Sequence, residues 1–426
     1  MLTSLFAVYV TFGLRFIAPM LALPYLSNKL SAGPLAVYLT VQSIGFMGGV
    51  GVEYGFGWWA SRELASAQTA DEVSRIASGV LAAQGLLITI VCPLVVTLAM
   101  LTPGISANFA AVAGTAAFAT ISGLSPAWYF QGRMRAPFSA LIECVAAMLF
   151  LILLLLLVHS SADLPLALAS MVLGPAIAYG IGLLQLLRET RVLRFKARLG
   201  LAYIRSAFTM FSTRAAILVY SSMSTWLMFV LSDPVRTSQY GIANRLAGPI
   251  LALYGPLGQV LLPRLHRRAI DSGILVVTDG LALVALLEAS AGAAILACHL
   301  LSHFVTTKIL LIPVPGVAEA VNGLSWMLLP IAASQALVLY FILPYKKEGS
   351  NLRAILAGAG VFAVAAPLLV PPYAVTGMIL ARILGETTVT VGLFIGSILL
   401  WRSTQHAVPQ AAFKTSAAFR IVRGGK

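Results

Sequence analysis

The sequence predicts an all-α polytopic membrane protein of about twelve transmembrane helices, arranged as two six-helix halves. Three observations carry this expectation. The chain of 426 residues is 59% hydrophobic and only 10% charged, with a mean hydropathy of +0.93, more apolar surface than a water-soluble core of that length needs. Apolar segments long enough to cross a bilayer recur along the whole chain. The basic residues of the loops between them alternate between a rich side and a poor side.

The spans fall at about 5–26, 34–56, 77–100, 108–130, 138–158, 165–187, 207–231, 238–263, 275–300, 318–343, 354–370 and 373–400. Of the lysines and arginines between and beyond them, 21 lie on one side, including Arg62, Arg133, Arg135, Arg188, Arg264, Lys346 and the tail beyond residue 400. Only Lys29, Arg236 and Lys308 lie on the other. The positive-inside rule places the rich side in the cytoplasm, so both termini are expected there. The net charge of +14 is then a topogenic signal facing anionic lipid, and nucleic-acid binding is not needed to explain it. The first apolar run lacks a basic n-region and a small-residue cleavage site, so it is expected to remain as a span.

The longest basic loop, "RETRVLRFKARLGLAYIR" (188–205), is amphipathic and is expected to lie along the membrane surface. It divides a six-span lobe (1–187) from a second (207–400) through a linker (188–206), with a basic tail at 401–426. An even split with both ends on one side fits two parallel repeats. Tyr38 and Tyr240 stand at matching places after the first span of each lobe, and an arginine, Arg62 or Arg264, follows each by 24 residues.

Four basic residues remain inside spans: Arg15, Arg214, Arg245 and Arg382. Arg15 and Arg214 stand in the first span of each lobe. About ten residues of helix at 1.5 Å each put Arg15 near mid-bilayer. Polar groups at that depth need protein or water partners. Spans 1, 2, 7 and 8 carry Pro19 and Pro24, six glycines of 45–57, Ser221, Ser222 and Thr225, and Asn244, Pro249 and Gln259. They are the candidates for lining a central cavity, although small residues also serve tight packing. Arg15, Arg214 and Arg245 are the candidate anion-binding residues, because a guanidinium stays charged and pairs bidentately with phosphate oxygens. The competing structural reading is an ion pair with Glu53 or Glu288. Arg382 precedes Glu386 by four residues, the spacing of an ion pair on one helix face. Glu288, Glu143 and Glu53 are candidates for carrying a coupling proton or sodium.

"TADE" (69–72) fits a capping box ahead of the third span. Trp128, Tyr129 and Phe130 fit an interfacial aromatic belt. Cys92, Cys144 and Cys298 all fall in apolar stretches and form no disulfide framework. The five histidines, His159, His266, His299, His303 and His406, are scattered near span ends, and no metal site is expected.

The chain resembles the bacterial polysaccharide (O-antigen, Wzx-type) flippases of the multidrug/oligosaccharidyl-lipid/polysaccharide exporter superfamily. The residues carrying the resemblance are "LALPYLSNKL" and "GPLAVYLTVQSIGFMGGVGVEYGFGWWASRELA" (21–65), ending in Arg62-Glu63, "PAWYFQGRMR" (126–135) and "QYGIANRLAGPI" through "LLPRL" (239–265). Spans 9 to 11 match in layout alone. The resemblance implies a V-shaped pair of lobes around a cationic cavity and alternating access. It also implies export of an undecaprenyl-pyrophosphate-linked oligosaccharide across the bacterial inner membrane, driven by a cation gradient without a cofactor. In the related lipid II flippases, cavity arginines of helices 1 and 8 serve the pyrophosphate, and Arg15 and Arg245 stand on those spans here. Membrane lipids and a polysaccharide polymerase or export machinery are the implied partners. A multidrug cation antiporter is the first alternative. Such a cavity usually needs acidic groups, whereas spans 1 and 2 offer one arginine and one peripheral glutamate. A membrane polymerase or ligase is the second, and the short loops of the basic-poor side offer it little catalytic equipment.

Overall fold

The computed structural model describes residues 18–190, 196–251, 277–342 and 348–421, with side chains at all of these except 213, 214, 218–220, 277–279, 348 and 401–421. Among the described residues the fold is all-α, and eight helices are long and apolar enough to cross a membrane. Each expected span has a helical counterpart, the first and eighth only in part.

The first half opens with α1 (18–29), followed by α2 (Ala32–Glu53) and α3 (Phe56–Ser66). Next come α4 (Ala70–Leu101), α5 (Phe109–Gly123), α6 (Ala127–Gly132), α7 (Ala136–Leu157) and α8 (Leu164–Thr190). The expected capping box forms at α4. The Glu72 amide donates to Thr69 Oγ1 at 3.2 Å and the Glu72 carboxylate accepts the Thr69 N–H, so orphan donors of the first turn are satisfied. Asn108 caps α5 in the same way, accepting the Ala111 N–H at 3.1 Å.

The second half comprises α9 (Ala197–Ser221), α10 (Met223–Leu231), α11 (Pro234–Leu251), α12 (Val277–Phe304), α13 (Val317–Ser325), α14 (Leu328–Leu337) and α15 (Glu348–Ile421). Spans 11 and 12 are the two arms of α15, which folds back on itself at Ala374 (φ 49°). The arms touch at two glycines. A Cβ on Gly358 would fall 2.6 Å from the Gly385 carbonyl and 2.4 Å from Val389, so the backbones approach as close-packed membrane helices do.

Two sequence expectations change. Residues 197–206 are the first turns of α9, packed along α4 with Gly200 against Ala83 and Tyr203 against Gly79. The basic segment therefore enters a helix that buries one face on protein, where a surface-lying helix would bury it in lipid. Trp128, Tyr129 and Phe130 are at most 2% exposed. They form a core with Phe56, Trp59 and Val80 at the basic-rich end, not a belt facing headgroups. Burial of their large rings ties α3, α4, α6, α7 and α8 together.

The hairpin contact makes a prediction. Gly358→Val should lower stability by about 1–3 kcal/mol through overpacking, read as a lower midpoint in thermal unfolding of the detergent-solubilised protein. Gly349→Ala, whose Cβ meets nothing within 4 Å, should leave the midpoint unchanged.

Candidate functional site

α2 and α11 both start at the basic-poor end and run side by side. The contact is close because Gly241 faces Leu39: a Cβ there would lie 2.8 Å from Leu39. Tyr38 and Tyr240 are 1% and 0% exposed within this contact. One turn further on each helix comes an amide side chain, Gln42 and Asn244.

Arg245 is half-buried beside them. Its Nε donates to Gln42 Oε1 at 2.7 Å, its Nη2 to the Leu39 carbonyl at 3.1 Å and its Nη1 to the Gly241 carbonyl at 3.0 Å. Every acceptor is neutral, and no carboxylate lies within ion-pair distance among the described residues. Arg245 lies eleven residues into α11 and Gln42 ten into α2, about 15–16 Å along each helix, near the middle of a hydrocarbon layer about 30 Å thick. Among the described residues the guanidinium thus has no counter-ion at this depth, and two of its five N–H groups have no partner.

Arg382 occupies the parallel position on the other amide. It is 4% exposed, and its Nη1 donates to Asn244 Oδ1 and to the Tyr240 hydroxyl at 3.3 Å. The Asn244 amide is itself 3.5 Å from Thr225 Oγ1 of α10. The ion pair that the Arg382–Glu386 spacing suggests does not form. Glu386 is 7% exposed one turn along, yet no nitrogen–oxygen approach reaches 4 Å, because the guanidinium turns toward α11. Arg382 Nε has no hydrogen-bond partner.

The three carboxylates singled out from the sequence stand apart from one another and from Arg245. Glu53 accepts the Gly55 N–H at 3.1 Å and the Gly57 N–H at 2.6 Å, capping α3 where the chain turns through Tyr54 and Gly55. Glu143 accepts from Ser125 at 2.7 Å and from Tyr179 at 2.9 Å, joining α7, α8 and the α5–α6 corner. Glu288 on α12 accepts the Ala333 N–H of α14. None of them pairs with Arg245, so the structural reading of that arginine as half of a Glu53 or Glu288 ion pair does not hold. Arg15 lies outside the described residues. Arg214 lies in α9, and its side chain is outside the described set. Gln42 went unnoticed in the sequence, although it follows Tyr38 by the same four residues that separate Asn244 from Tyr240.

Comparison with known proteins gives the fold a context. Residues 2–268 match the family model described as "Polysaccharide biosynthesis protein". A "Putative O-antigen transporter" of Shigella dysenteriae is 25% identical over 274 residues, covering 62% of this chain and 67% of that protein. One of Escherichia coli (strain K12) is 23% identical over 260 residues, covering 59% of this chain and 62% of that protein. The matches thus span about two thirds of the length of these relatives. Among solved structures, "Lipid II flippase MurJ, inward closed conformation" superposes with a TM-score of 0.69 at 12% identity, covering 95% of this chain and 91% of that one. An inward-facing multidrug resistance MATE family transporter of the MOP superfamily superposes at 0.64 and 14% identity, covering 92% and 96%. At these identities the likeness is one of fold.

The capping role of Glu53 is testable. Glu53→Gln keeps one acceptor for the glycine amides and should leave transport within about twofold of the parent. Glu53→Ala removes both and should lower the unfolding midpoint, by the ~1 kcal/mol of a lost cap. Abolished transport by a normally inserted Glu53→Gln would instead mark a titrating carboxylate.

Proposed function

The chain belongs to the polysaccharide biosynthesis protein family, as a Wzx-type flippase of the MOP superfamily, and from that premise we propose that it moves an undecaprenyl-pyrophosphate-linked oligosaccharide repeat unit from the cytoplasmic to the periplasmic leaflet. The product of that step feeds assembly of an O-antigen or other surface polysaccharide. The protein is a multi-pass membrane transporter, not an enzyme; its place in this reading is the inner membrane, with both termini cytoplasmic.

The observation that carries the reading is Arg245, a mid-membrane guanidinium held, among the described residues, by neutral oxygens alone. An arginine at this depth is costly in lipid. A carboxylate partner would lower that cost and cancel the charge; Gln42 and two backbone carbonyls satisfy the N–H groups and leave the charge in place. A diphosphate crossing the membrane needs a counter-charge at this depth, and the guanidinium fork matches its oxygens. Arg15 and Arg214 would add to the same field from the first span of each lobe. A cationic drug would meet the same guanidinium as a like charge, which disfavours the multidrug antiporter reading. Alternating access would expose Arg245 to each face in turn, powered by a proton or sodium gradient.

In a strain lacking its own flippase, Arg245→Ala and Arg15→Ala should each cut surface polysaccharide at least tenfold while inserting normally. A lost charge-assisted contact of about 1.5–3 kcal/mol corresponds to roughly ten- to a hundred-fold. Arg245→Lys and Arg15→Lys should retain part of the activity. Normal export by inserted Arg245→Ala would overturn the anion site. Single cysteines within 27–33 and 232–237 should react with an impermeant thiol reagent in intact cells, and protection there would overturn the orientation.

A further inference from the structure

Arg245 does more than carry charge, because two of its three partners lie on the other half of the molecule. Arg245 belongs to α11, and Gln42 and the Leu39 carbonyl belong to α2. Among the described residues the seam between the halves has few other polar ties, one of them from the Trp226 indole N–H to the Thr102 hydroxyl at 3.0 Å. Nearer the basic-poor end, the Ser238 hydroxyl donates to the Ala32 carbonyl at 3.0 Å and the Asn28 amide to the Leu311 carbonyl at 2.9 Å. One residue past Gln42, the Ser43 hydroxyl donates to the Ser222 carbonyl. Of these ties only the one through Arg245 is charged. It is also the only one whose donor is the group proposed to receive the substrate's anion.

We propose that Gln42 is the releasable clasp of this seam: it parks the Arg245 guanidinium across the two halves, and an anionic diphosphate headgroup opens the seam by taking the guanidinium away. The inference rests on the headgroup reading of Arg245 and assigns Gln42 a positioning role in it. A glutamine suits the task. Its amide oxygen accepts the Nε–H at 2.7 Å and orients the fork, but a neutral acceptor binds a guanidinium less tightly than an anion does. A phosphate oxygen therefore outcompetes it. A glutamate at the same place would form a mid-membrane ion pair that is hard to break by removing one partner. Closure then depends on an empty site, and occupancy favours opening, as a ligand with different affinities for two states requires.

The test measures the seam directly. With Cys92, Cys144 and Cys298 replaced, Ala32→Cys and Ser238→Cys should oxidise to a disulfide in membrane vesicles, reporting closure. Undecaprenyl pyrophosphate should slow that cross-link several-fold, and undecaprenol, which lacks the diphosphate, should not. Gln42→Leu should slow it without any lipid added. Gln42→Glu should hold the cross-link at or above the parent rate with undecaprenyl pyrophosphate present, and should cut export at least tenfold at normal insertion. Parent-like cross-linking and parent-like response to lipid in both Gln42 variants would overturn the clasp. If the Gln42 variants shift the cross-link as expected but undecaprenyl pyrophosphate leaves the parent unchanged, the clasp stands and the headgroup reading of Arg245 fails.

Discussion

A guanidinium in the middle of a hydrocarbon layer survives only if acceptors surround it, and the backbone geometry of α2 and α11 supplies them for Arg245. Two of its three acceptors are main-chain carbonyls, Leu39 and Gly241. Helical carbonyls are already bonded along the helix, but their second lone pair is free, so a cation can be held without breaking either helix. Reaching the Leu39 carbonyl from α11 requires the two helices to lie close together, and the absence of a side chain at Gly241 permits that approach. The seam between the halves, the depth of the charge and its lack of a counter-ion all follow from this one contact.

The opposite, basic-rich end of the molecule is joined by different means. There Tyr54, at the end of α2, stacks on Phe211 of α9 with ring centroids 4.1 Å apart, and Trp59 meets Tyr203 at 4.8 Å. α9 packs on α4 in the first half and on α15 in the second. In lipid, apolar contacts between helices gain little from water exclusion and depend on shape, whereas hydrogen bonds are exchanged only for other hydrogen bonds. The seam at Arg245 is therefore held by partners that a charged ligand can replace, whereas the stacked rings described at the basic-rich end are contacts for which it does not compete. The two ends differ in the kind of event that can open them.

Most of the architecture was legible in the sequence because crossing length and loop charge are one-dimensional signals. The span positions, the capping box at Thr69 and the pairing of Tyr38 with Tyr240 needed no knowledge of packing. What depended on which way a side chain faces was not legible. Trp128, Tyr129 and Phe130 read as interfacial because aromatics at span ends usually are, but the break between α5 and α6 turns them inward. The hydrogen bonds of Glu53, Glu143 and Glu288 to backbone amides and to hydroxyls of other helices were likewise not legible, because they depend on which elements meet in space. Arg382 read as paired with Glu386 because the i,i+4 rule describes one helix in isolation; a neighbouring helix offering Tyr240 and Asn244 redirects it.

The same arrangement occurs twice, and the differences between the copies carry meaning. In each case a buried tyrosine is followed four residues on by an amide whose oxygen accepts an arginine from another helix: Gln42 with Arg245, Asn244 with Arg382. The first pair joins the two halves, is half-exposed and has no acid nearby. The second lies within the second half, has its arginine buried and has Glu386 on the next turn. Among the described residues neither guanidinium has a carboxylate within ion-pair distance. Asn244 and Arg245 are consecutive on α11, so the two arrangements share one turn of helix. Arg382 and Arg245 thus meet neighbouring residues of α11, which carries contacts both to the interior of the second half and to the seam.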